Sequence, residues 1–152
     1  MKKVYLISCT AKKQEYECIA EEMYSKSLLF RLSLEYALNR VDDKNSQIFI
    51  LSAKYGLLPL SQQIEPYNKT LRKMNMIETS EWGKEVYKQM QHNFDIENTK
   101  FVFLAGNSYI KPLEQYLNCN NCENPIPETE RMIGKRIKWL KEHKENEKSF
   151  SK

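Results

Sequence analysis

Three short, almost unbroken apolar runs constrain the fold of this chain more than any other feature. Residues 4–7, 48–51 and 101–104 consist only of aliphatic or aromatic side chains. A strand that is covered on both faces lacks the apolar and polar alternation of a half-exposed strand, and parallel sheets bury their strands in this way. Segments with helical spacing separate the runs. The chain therefore predicts an α/β protein with a parallel sheet and helices on its faces.

Apolar residues at helical spacing mark the segments between the predicted strands. Residues 28–40 follow Ser27, a predicted N-cap, and a second such segment follows Thr79 or Ser80, which we also predict as a cap. The remaining elements are predicted as strands at residues 3–8, 47–52 and 100–105, and as helices after Gly106 and through residues 133–140.

The chain shows no internal repeat and no linker, so we predict one domain over residues 1–144. Residues 145–152 are then a basic polar tail that frays from the last helix. Residues 54–75 form a long irregular segment with Pro59 and Pro66. A connection of that length in a compact domain is usually functional or partly structured.

Composition and charge exclude a membrane span and leave the partner open. Hydrophobic residues make up 41% and charged residues 29%, and no apolar run approaches the ~20 residues that cross a bilayer. The start lacks the long apolar region of a signal peptide, so we expect a cytoplasmic protein with no membrane partner. Residues 135–152 account for the whole net charge of +4. This segment is either a solvated helix end or a surface for DNA or RNA.

The four cysteines do not define a metal site. Cys119 and Cys122 form a C-x-x-C, which can be half of a zinc site or a disulfide, but the spacing of Cys9 and Cys18 does not supply the other half. Free thiols in a cytosol are the third interpretation. We predict neither a metal nor a cofactor.

Small and polar residues follow all three predicted strands. Sites in open parallel sheets lie beyond the carboxyl ends of the strands, so these residues are expected to converge on a site for a small molecule or nucleotide. The candidate binding residues at the strand ends are Ser8, Cys9, Thr10, Lys12, Ser52, Lys54, Tyr55, Gly56, Gly106 and Asn107.

The end of the first strand offers hydroxyls, backbone N–H groups and the ammonium groups of Lys12 and Lys13, which together could hold an anion. It is not a P-loop, because the glycines are missing. Cys9 is either a nucleophile activated by a nearby lysine or a small buried residue.

The other two strand ends leave similar alternatives. Ser52 and Lys54 share a face if the strand continues. The ring of Tyr55 either stacks on a base or sugar or packs in the core, and Gly56 lets the backbone approach a ligand. Asn107 either reads a base edge or caps the helix that follows.

Glu65 is the candidate catalytic carboxylate. Pro66 holds it in an extended conformation, and Tyr67, a further candidate for substrate binding, lies beside it on a segment that can cover the site. A carboxylate there could act as a general acid or base or hold a sugar hydroxyl or a base N–H, or it is a solvated glutamate. The candidates for contacting nucleic-acid phosphates are Lys13, Arg131, Lys135 and Arg136.

Several motifs together resemble a known group of proteins. They are SCTAKK at residues 8–13, residues 20–30 with Tyr24 and Ser27, LSAKYGLL at 51–58, IEPY at 64–67 with Thr70 and Leu71, Trp82, IGK at 133–135 and WL at 139–140. This series resembles a family of small bacterial and phage proteins related to YaaA-like peroxide-stress proteins and to a domain of archaeosine synthase-type tRNA-modification enzymes.

The resemblance spans roughly residues 4–140, and it implies a fold like that of uracil-DNA glycosylase. In that fold a three-layer domain has a mostly parallel central sheet flanked by helices. It also implies a connection to nucleobases or nucleic acids. The water-activating Asp motif of those glycosylases is not found in this sequence.

Three functions follow from these residues. The protein could cleave an N-glycosidic bond of a nucleoside, nucleotide or nucleic acid, with Glu65 stabilising an oxocarbenium-like transition state and Tyr55 and Asn107 holding the base. It could bind DNA, RNA or a nucleotide without catalysis, through its lysines and the last helix. It could also be a phage- or host-interaction protein with a vestigial site.

Overall fold

The three apolar runs form the central strands of a sheet in this computed structural model. The structure describes residues 1–144, so the tail predicted at residues 145–152 lies outside the described residues. Within that part of the chain, no helix is long and apolar enough to cross a membrane. The strands are β1 (Lys2–Ser8), β2 (Cys18–Ile19), β3 (Ile48–Ser52), β4 (Gly56–Pro59), β5 (Gln63–Ile64), β6 (Thr99–Leu104) and β7 (Cys122–Glu123).

β1 lies in the middle of a five-stranded sheet with the order β4-β3-β1-β6-β7. It pairs in parallel with β3 and β6, β7 runs parallel to β6, and β4 forms an antiparallel hairpin with β3. The prediction of an α/β fold with a mostly parallel sheet is confirmed. β2 and β5 form a separate antiparallel pair. Because the chain moves from β1 to β3 and then back past β1 to β6, the strand order reverses beside β1.

Helices cover the sheet in two pairs. α2 packs against α6, and α4 packs against α5. The crossovers from β1 to β3 and from β3 to β6 run in opposite directions along the sheet, so right-handed connections place α2 and α4 on opposite faces. The helices are α1 (Ala20–Met23), α2 (Leu28–Leu38), α3 (Lys44–Gln47), α4 (Met76–Asn93), α5 (Asn107–Glu114) and α6 (Ile133–Glu142).

The central strands are buried on both faces, which is why their sequences do not alternate. All five residues of β3 are buried, and the last five residues of β1 are buried as well. Burying aliphatic side chains contributes about 25 cal/mol per Å² of apolar surface removed from water. The core therefore lies along β1, β3 and β6, and their polar residues are confined to the strand ends.

The predicted cap of α2 is confirmed, and the predicted cap of α4 is wrong. The Ser27 hydroxyl accepts a hydrogen bond from the Phe30 N–H at 3.2 Å. α4 starts one turn earlier than Thr79, behind Asn75, whose Oδ1 accepts from the Glu78 N–H at 2.8 Å in a capping box. The apolar spacing of the sequence misses this first turn, because Met76 is 89% exposed and has no buried partner.

Other element bounds differ from the prediction where short elements interrupt a loop. The connection before β3 contains α3, which includes Gln47, the residue predicted to start that strand. The segment predicted as irregular begins with the β3–β4 hairpin and contains β5 and the 3-10 turn Leu71–Lys73. Residues 56–58 are buried against the core, so this edge of the sheet is fully structured.

The C-x-x-C segment is held by an asparagine between the cysteines. Asn121 is buried, and its Nδ2 donates to the carbonyl oxygens of Ile96 at 2.8 Å and Thr99 at 2.9 Å. Cys119 and Cys122 are free thiols, one exposed and one half-buried. Residues 1–144 contain no group of three or more His, Cys, Asp or Glu side chains that could hold a metal ion.

Gly56 and Gly134 form a matched pair for testing backbone strain. Gly56 has φ of 71°, and a Cβ there would overlap the Gln89 side chain, whose Oε1 accepts from the Leu57 N–H at 2.8 Å. Gly56→Ala should therefore lower the free energy of unfolding by about 1–2 kcal/mol or more. Gly134→Ala adds a Cβ with nothing within 4 Å in a helix, so stability should hold or rise by up to about 1 kcal/mol. Urea unfolding measures both, and equal stability of the two variants would contradict the strained turn.

Candidate functional site

The carboxyl ends of β1, β3 and β6 lie side by side. The Cys9 N–H, just after β1, donates to the Leu51 carbonyl of β3 at 2.9 Å. The Cys9 Sγ lies 3.1 Å from the hydroxyl of Tyr109 on α5, the helix that follows β6. Ligand sites of open α/β sheets lie where the strand order reverses, which in this sheet is beside β1. The fold thus brings the predicted strand ends together at the edge where a ligand site is expected.

A cluster of four hydroxyl groups and one thiol fills this edge of the sheet, and we call it the hydroxyl cluster: the hydroxyls of Tyr24, Ser52, Tyr67 and Tyr109 and the thiol of Cys9. The Tyr67 hydroxyl lies 2.7 Å from that of Tyr24 and 2.9 Å from that of Ser52. Tyr24 and Ser52 are fully buried, while Tyr67 is half-buried. Each hydroxyl therefore has a protein partner before any ligand is considered.

Ser52 explains how the chain leaves β3 through polar residues. Its Oγ accepts hydrogen bonds from the N–H groups of Lys54 at 3.2 Å and Tyr55 at 3.0 Å, which fixes the turn into β4. Its carbonyl oxygen accepts from the indole N–H of Trp82 at 3.0 Å. The serine predicted to bind substrate thus holds the turn and orients Tyr67.

The tyrosines of the hydroxyl cluster stay neutral. Burial raises the pKa of Tyr24, Tyr67 and Tyr109 well above the usual value of a phenol, and the neighbouring Cys9 adds to each shift. Lys13 sits at the margin of the cluster with its Nζ 4.5 Å from the centroid of the Tyr67 ring, and burial lowers its pKa. The cluster can donate hydrogen bonds to a ligand, but its phenols are poorly suited to act as bases.

A cavity of about 450 Å³ lies next to the hydroxyl cluster and shares Tyr109 with it. We call it the arginine pocket, because Arg72, Arg131 and Arg136 contribute to its wall. The rest of the wall comes from residues 106–108, Glu128 and residues 132–134.

Arg136 is buried in the wall of this pocket without a counterion. It is 8% exposed, and its Nε has no hydrogen-bond partner in the part of the chain that the structure describes. No carboxylate of residues 1–144 forms a salt bridge with it. Burial lowers its pKa to about 10, and the charge of Arg72 acts in the same direction. The guanidinium is therefore still charged at neutral pH, and the fold leaves that charge uncompensated.

Gly106 is the reason that this guanidinium can approach the end of β6. A Cβ on Gly106 would lie 3.3 Å from Nη2 and 3.6 Å from Cζ of Arg136. The 3.3 Å distance to Nη2 is tighter than an ordinary van der Waals contact. Gly106, which the sequence predicts as a binding residue, thus permits the close approach of an arginine.

Two helix N-termini also face the pocket. α5 starts behind Gly106 and α6 starts behind Met132, and neither has a side-chain cap or an acidic residue in its first turn. The first N–H groups of such helices lack internal partners, and each helix end carries roughly half a positive charge. Phosphate and carboxylate groups bind to such ends. The pocket wall therefore combines guanidinium groups with free backbone donors.

Asn107 neither caps α5 nor presents its oxygen to the pocket. Its Oδ1 accepts from Nη1 of Arg131 at 3.0 Å, and Nε of Arg131 donates to the Ile126 carbonyl at 3.1 Å. These two hydrogen bonds fix the guanidinium of Arg131. The bond to Asn107 joins residues that are 24 positions apart in the sequence. Asn107 acts by positioning an arginine that the sequence also predicts for the site.

Glu65 lies outside the arginine pocket. It is exposed, and its backbone N–H donates to the Tyr55 hydroxyl at 3.3 Å. The Tyr55 ring meets Tyr67 edge to face with centroids 5.7 Å apart, and Lys54 places its Nζ 5.2 Å from the Tyr55 centroid. Glu65, Tyr55 and Lys54 thus lie together beside Tyr67, and none of them lines the arginine pocket.

The remaining predicted residues are spread over the same edge. Ser8 is buried, Thr10 donates through its hydroxyl to the Lys12 carbonyl at 3.3 Å, and Lys12 is exposed. Lys135 is exposed, and its Nζ donates to the Thr129 carbonyl at 3.4 Å. Gly56 faces Gln89 rather than open space.

The predicted site residues did not include Tyr24, Arg72, Tyr109 and Glu128, nor the pocket-wall residues Ser108 and 132–134. Tyr109 had a usable signal, because it lies in the first turn of the helix that follows a strand end. Tyr24 meets Tyr67 across 43 residues, and Arg72 reaches the pocket from a 3-10 turn. Neither proximity can be seen in local spacing.

The chain belongs to a family of unknown function (DUF6884), whose family model matches residues 4–142. No curated protein and no solved structure matches the chain. The matched segment runs from β1 to the end of α6, so the hydroxyl cluster and the arginine pocket both lie within it.

The raised pKa values of the cluster predict a loss of stability in alkali. A phenol that ionises in the unfolded chain but not in the folded one contributes stability below its unfolded pKa of about 10, and loses about 1.4 kcal/mol per pH unit above it. Tyr24→Phe should make this decline less steep, by about half a proton at pH 10 and close to one proton at pH 11, in urea unfolding between pH 9 and 11. The lowered pKa of Arg136 makes the free energy of unfolding rise with pH over the same range, so Arg136 is kept in every variant.

Val86→Ala is the control for that comparison. Val86 is 1% exposed and has no titratable group, so its truncation should lower stability equally at every pH. A decline of the Tyr24→Phe protein as steep as that of the wild type would contradict the neutral, buried phenol.

Proposed function

We propose that this protein recognises a nucleotide, with a phosphate in the arginine pocket and the base against the pocket's apolar rim. Met132 and Ile133 form that rim and are 73% and 49% exposed. Exposed apolar side chains beside a polar cavity are a common feature of ligand sites. The volume of about 450 Å³ falls in the range of small-molecule pockets.

The buried, unpaired guanidinium of Arg136 carries this proposal. An isolated charge in a protein interior is strongly unfavourable unless a counter-charge and hydrogen bonds compensate it. A phosphate offers both, because its oxygens accept the paired N–H groups of arginine and the free N–H groups of helix ends. The positions of Arg136, Gly106 and the two helix ends are thus explained by one bound anion.

A nucleotide is the form of phosphate that the sequence resemblance favours. The motifs at residues 8–13, 51–58 and 64–67 resemble a group of proteins with a nucleobase connection, and a fold like that of uracil-DNA glycosylase belongs to the same proposal. The mostly parallel sheet is compatible with that fold, although sheets of this kind carry many functions. We place this nucleotide in the cytoplasm, either free or as part of DNA or RNA.

Cleavage of an N-glycosidic bond is the second candidate, and Glu128 is the observation that favours it. Such cleavage needs a carboxylate near the sugar, because the transition state resembles an oxocarbenium ion. Glu128 is in the wall of the arginine pocket, and its Oε1 lies 3.5 Å from Nζ of Lys111. Glu65, the carboxylate chosen from the sequence, would reach a nucleotide only if the ligand extended past Tyr67.

Replacing the buried guanidinium tests recognition directly. Arg136→Met removes a charged donor, so affinity for the preferred nucleotide should fall by about 10- to 100-fold. Because the substitution also removes an uncompensated charge, the ligand-free variant should be at least as stable as the wild type. Calorimetric titration with a panel of nucleotides measures affinity, and urea unfolding measures stability.

Lys138→Met is the matched control, since Lys138 lies on the same helix but is exposed and outside the pocket. It should change nucleotide affinity by less than about threefold. An equal loss in both variants would contradict a phosphate at Arg136, and the absence of binding to every nucleotide would contradict the proposal itself.

Release of a free base tests the second candidate. Wild type, Glu65→Gln and Glu128→Gln are incubated with nucleosides, nucleotides, DNA and tRNA, and free bases are measured by liquid chromatography with mass spectrometry. A glycosidase that works in the arginine pocket should lose most of its turnover in Glu128→Gln and keep it in Glu65→Gln. The reverse result would move the reaction to Tyr55 and Tyr67, and no release by the wild type would leave recognition without cleavage.

A further inference from the structure

The arginine pocket contains more positive charge than its own residues compensate. Among residues 1–144, three guanidinium groups, those of Arg72, Arg131 and Arg136, line the pocket together with one carboxylate, that of Glu128. Glu128 is itself shared, because Nζ of Lys111 lies 3.5 Å from it. Each helix N-terminus adds roughly half a charge. The excess over Glu128 is therefore two full charges and about one more from the two helices.

The hydrogen-bond donors around the pocket are also arranged for more than one anionic oxygen. Arg136 reaches the end of β6 beside Gly106 and has a free Nε. Arg131 is fixed in place by Asn107, and the first N–H groups of α5 and α6 approach from two different elements. Two guanidinium groups and the N-termini of two helices together offer several donors, which are best satisfied by a group with several terminal oxygens.

Phosphate monoesters and diesters differ in both respects. A monoester carries about −1.5 to −2 charges near pH 7 and has three terminal oxygens. A diester, as found between nucleotides of a strand or in a cyclic nucleotide, carries one negative charge and has two terminal oxygens. Only the monoester approaches the charge excess of the pocket, and its third oxygen gives the additional donors an acceptor.

We infer that the arginine pocket selects a terminal phosphate, a phosphomonoester, over the phosphodiester of a strand interior or a cyclic nucleotide. This inference rests on the proposed function and narrows its substrate class. The ligand is then either a free mononucleotide or the phosphorylated end of a nucleic-acid strand. Both present the same dianionic group, and the internal phosphates of a strand do not.

A matched pair of ligands tests the selection. Calorimetric titration compares each nucleoside 5′-monophosphate with its 3′,5′-cyclic monophosphate, which keeps base and sugar and changes the phosphate from monoester to diester. For at least one base, the monophosphate should bind at least about tenfold more tightly. A second comparison uses short oligonucleotides of one sequence with a 5′-phosphate or a 5′-hydroxyl. Tighter binding of the 5′-phosphorylated strand than of the mononucleotide assigns the ligand to strand ends, and the opposite order assigns it to free nucleotides.

Two variants connect the selection to the pocket. Arg136→Met should reduce the ratio of monoester to diester affinity to about threefold or less. Arg72→Gln should reduce it as well, and because Arg72 is exposed this variant tests the inference even if Arg136→Met does not fold. Lys138→Met should keep the ratio of the wild type.

The possible failures separate the inference from the proposed function. Equal or tighter binding of the cyclic nucleotide overturns the monoester selection and leaves nucleotide recognition standing. An unchanged ratio in both arginine variants also overturns the inference, since the selection would then lie elsewhere. The absence of binding for every pair overturns the proposed function and the inference together.

Discussion

The burial of β1 between two parallel neighbours is the constraint on which the rest of this structure depends. Both faces and both edges of β1 are covered, so polar side chains are found only at the ends of the strand. The chain moves from β1 to β3 on one side and then crosses back past β1 to β6 on the other, and the ends of three strands therefore meet at the point where the strand order reverses. The hydroxyl cluster and the arginine pocket both lie at this point, although neither belongs to one contiguous stretch of sequence.

Tyr109 separates two environments that treat polar groups in opposite ways. On one side, the hydroxyls of Ser52, Tyr24 and Tyr67 satisfy one another at 2.7–2.9 Å, and burial keeps the phenols neutral. On the other side, Arg136 is charged and has no counterion in the described chain. A satisfied network rigidifies a core, whereas an unsatisfied charge indicates a missing partner. For this reason the pocket, and not the cluster, is the better guide to the ligand.

The sequence predicted the features that depend on local composition. Continuous apolar runs marked the central strands, Ser27 marked a cap, and the rule for strand ends placed Cys9, Ser52 and Gly106 at one edge. It missed what depends on distant contacts: α6 folds back so that Arg136 meets Gly106, and Arg72 arrives from a turn. Asn75 and Glu78 did carry a capping signal, but their turn has no buried face, so apolar spacing alone does not reveal it.

Arg136 is unfavourable for the stability of the empty fold but suited to binding an anion. Methionine at this position would match the buried stem of the arginine and remove an uncompensated charge, so folding alone gives no reason for a guanidinium there. The proposed phosphate does give one, because such a ligand would compensate the charge and accept hydrogen bonds that the described chain leaves open. A ligand that binds only the folded state stabilises it in proportion to its occupancy. In the proposed complex, the ligand would recover the free energy that the uncompensated charge costs the empty fold.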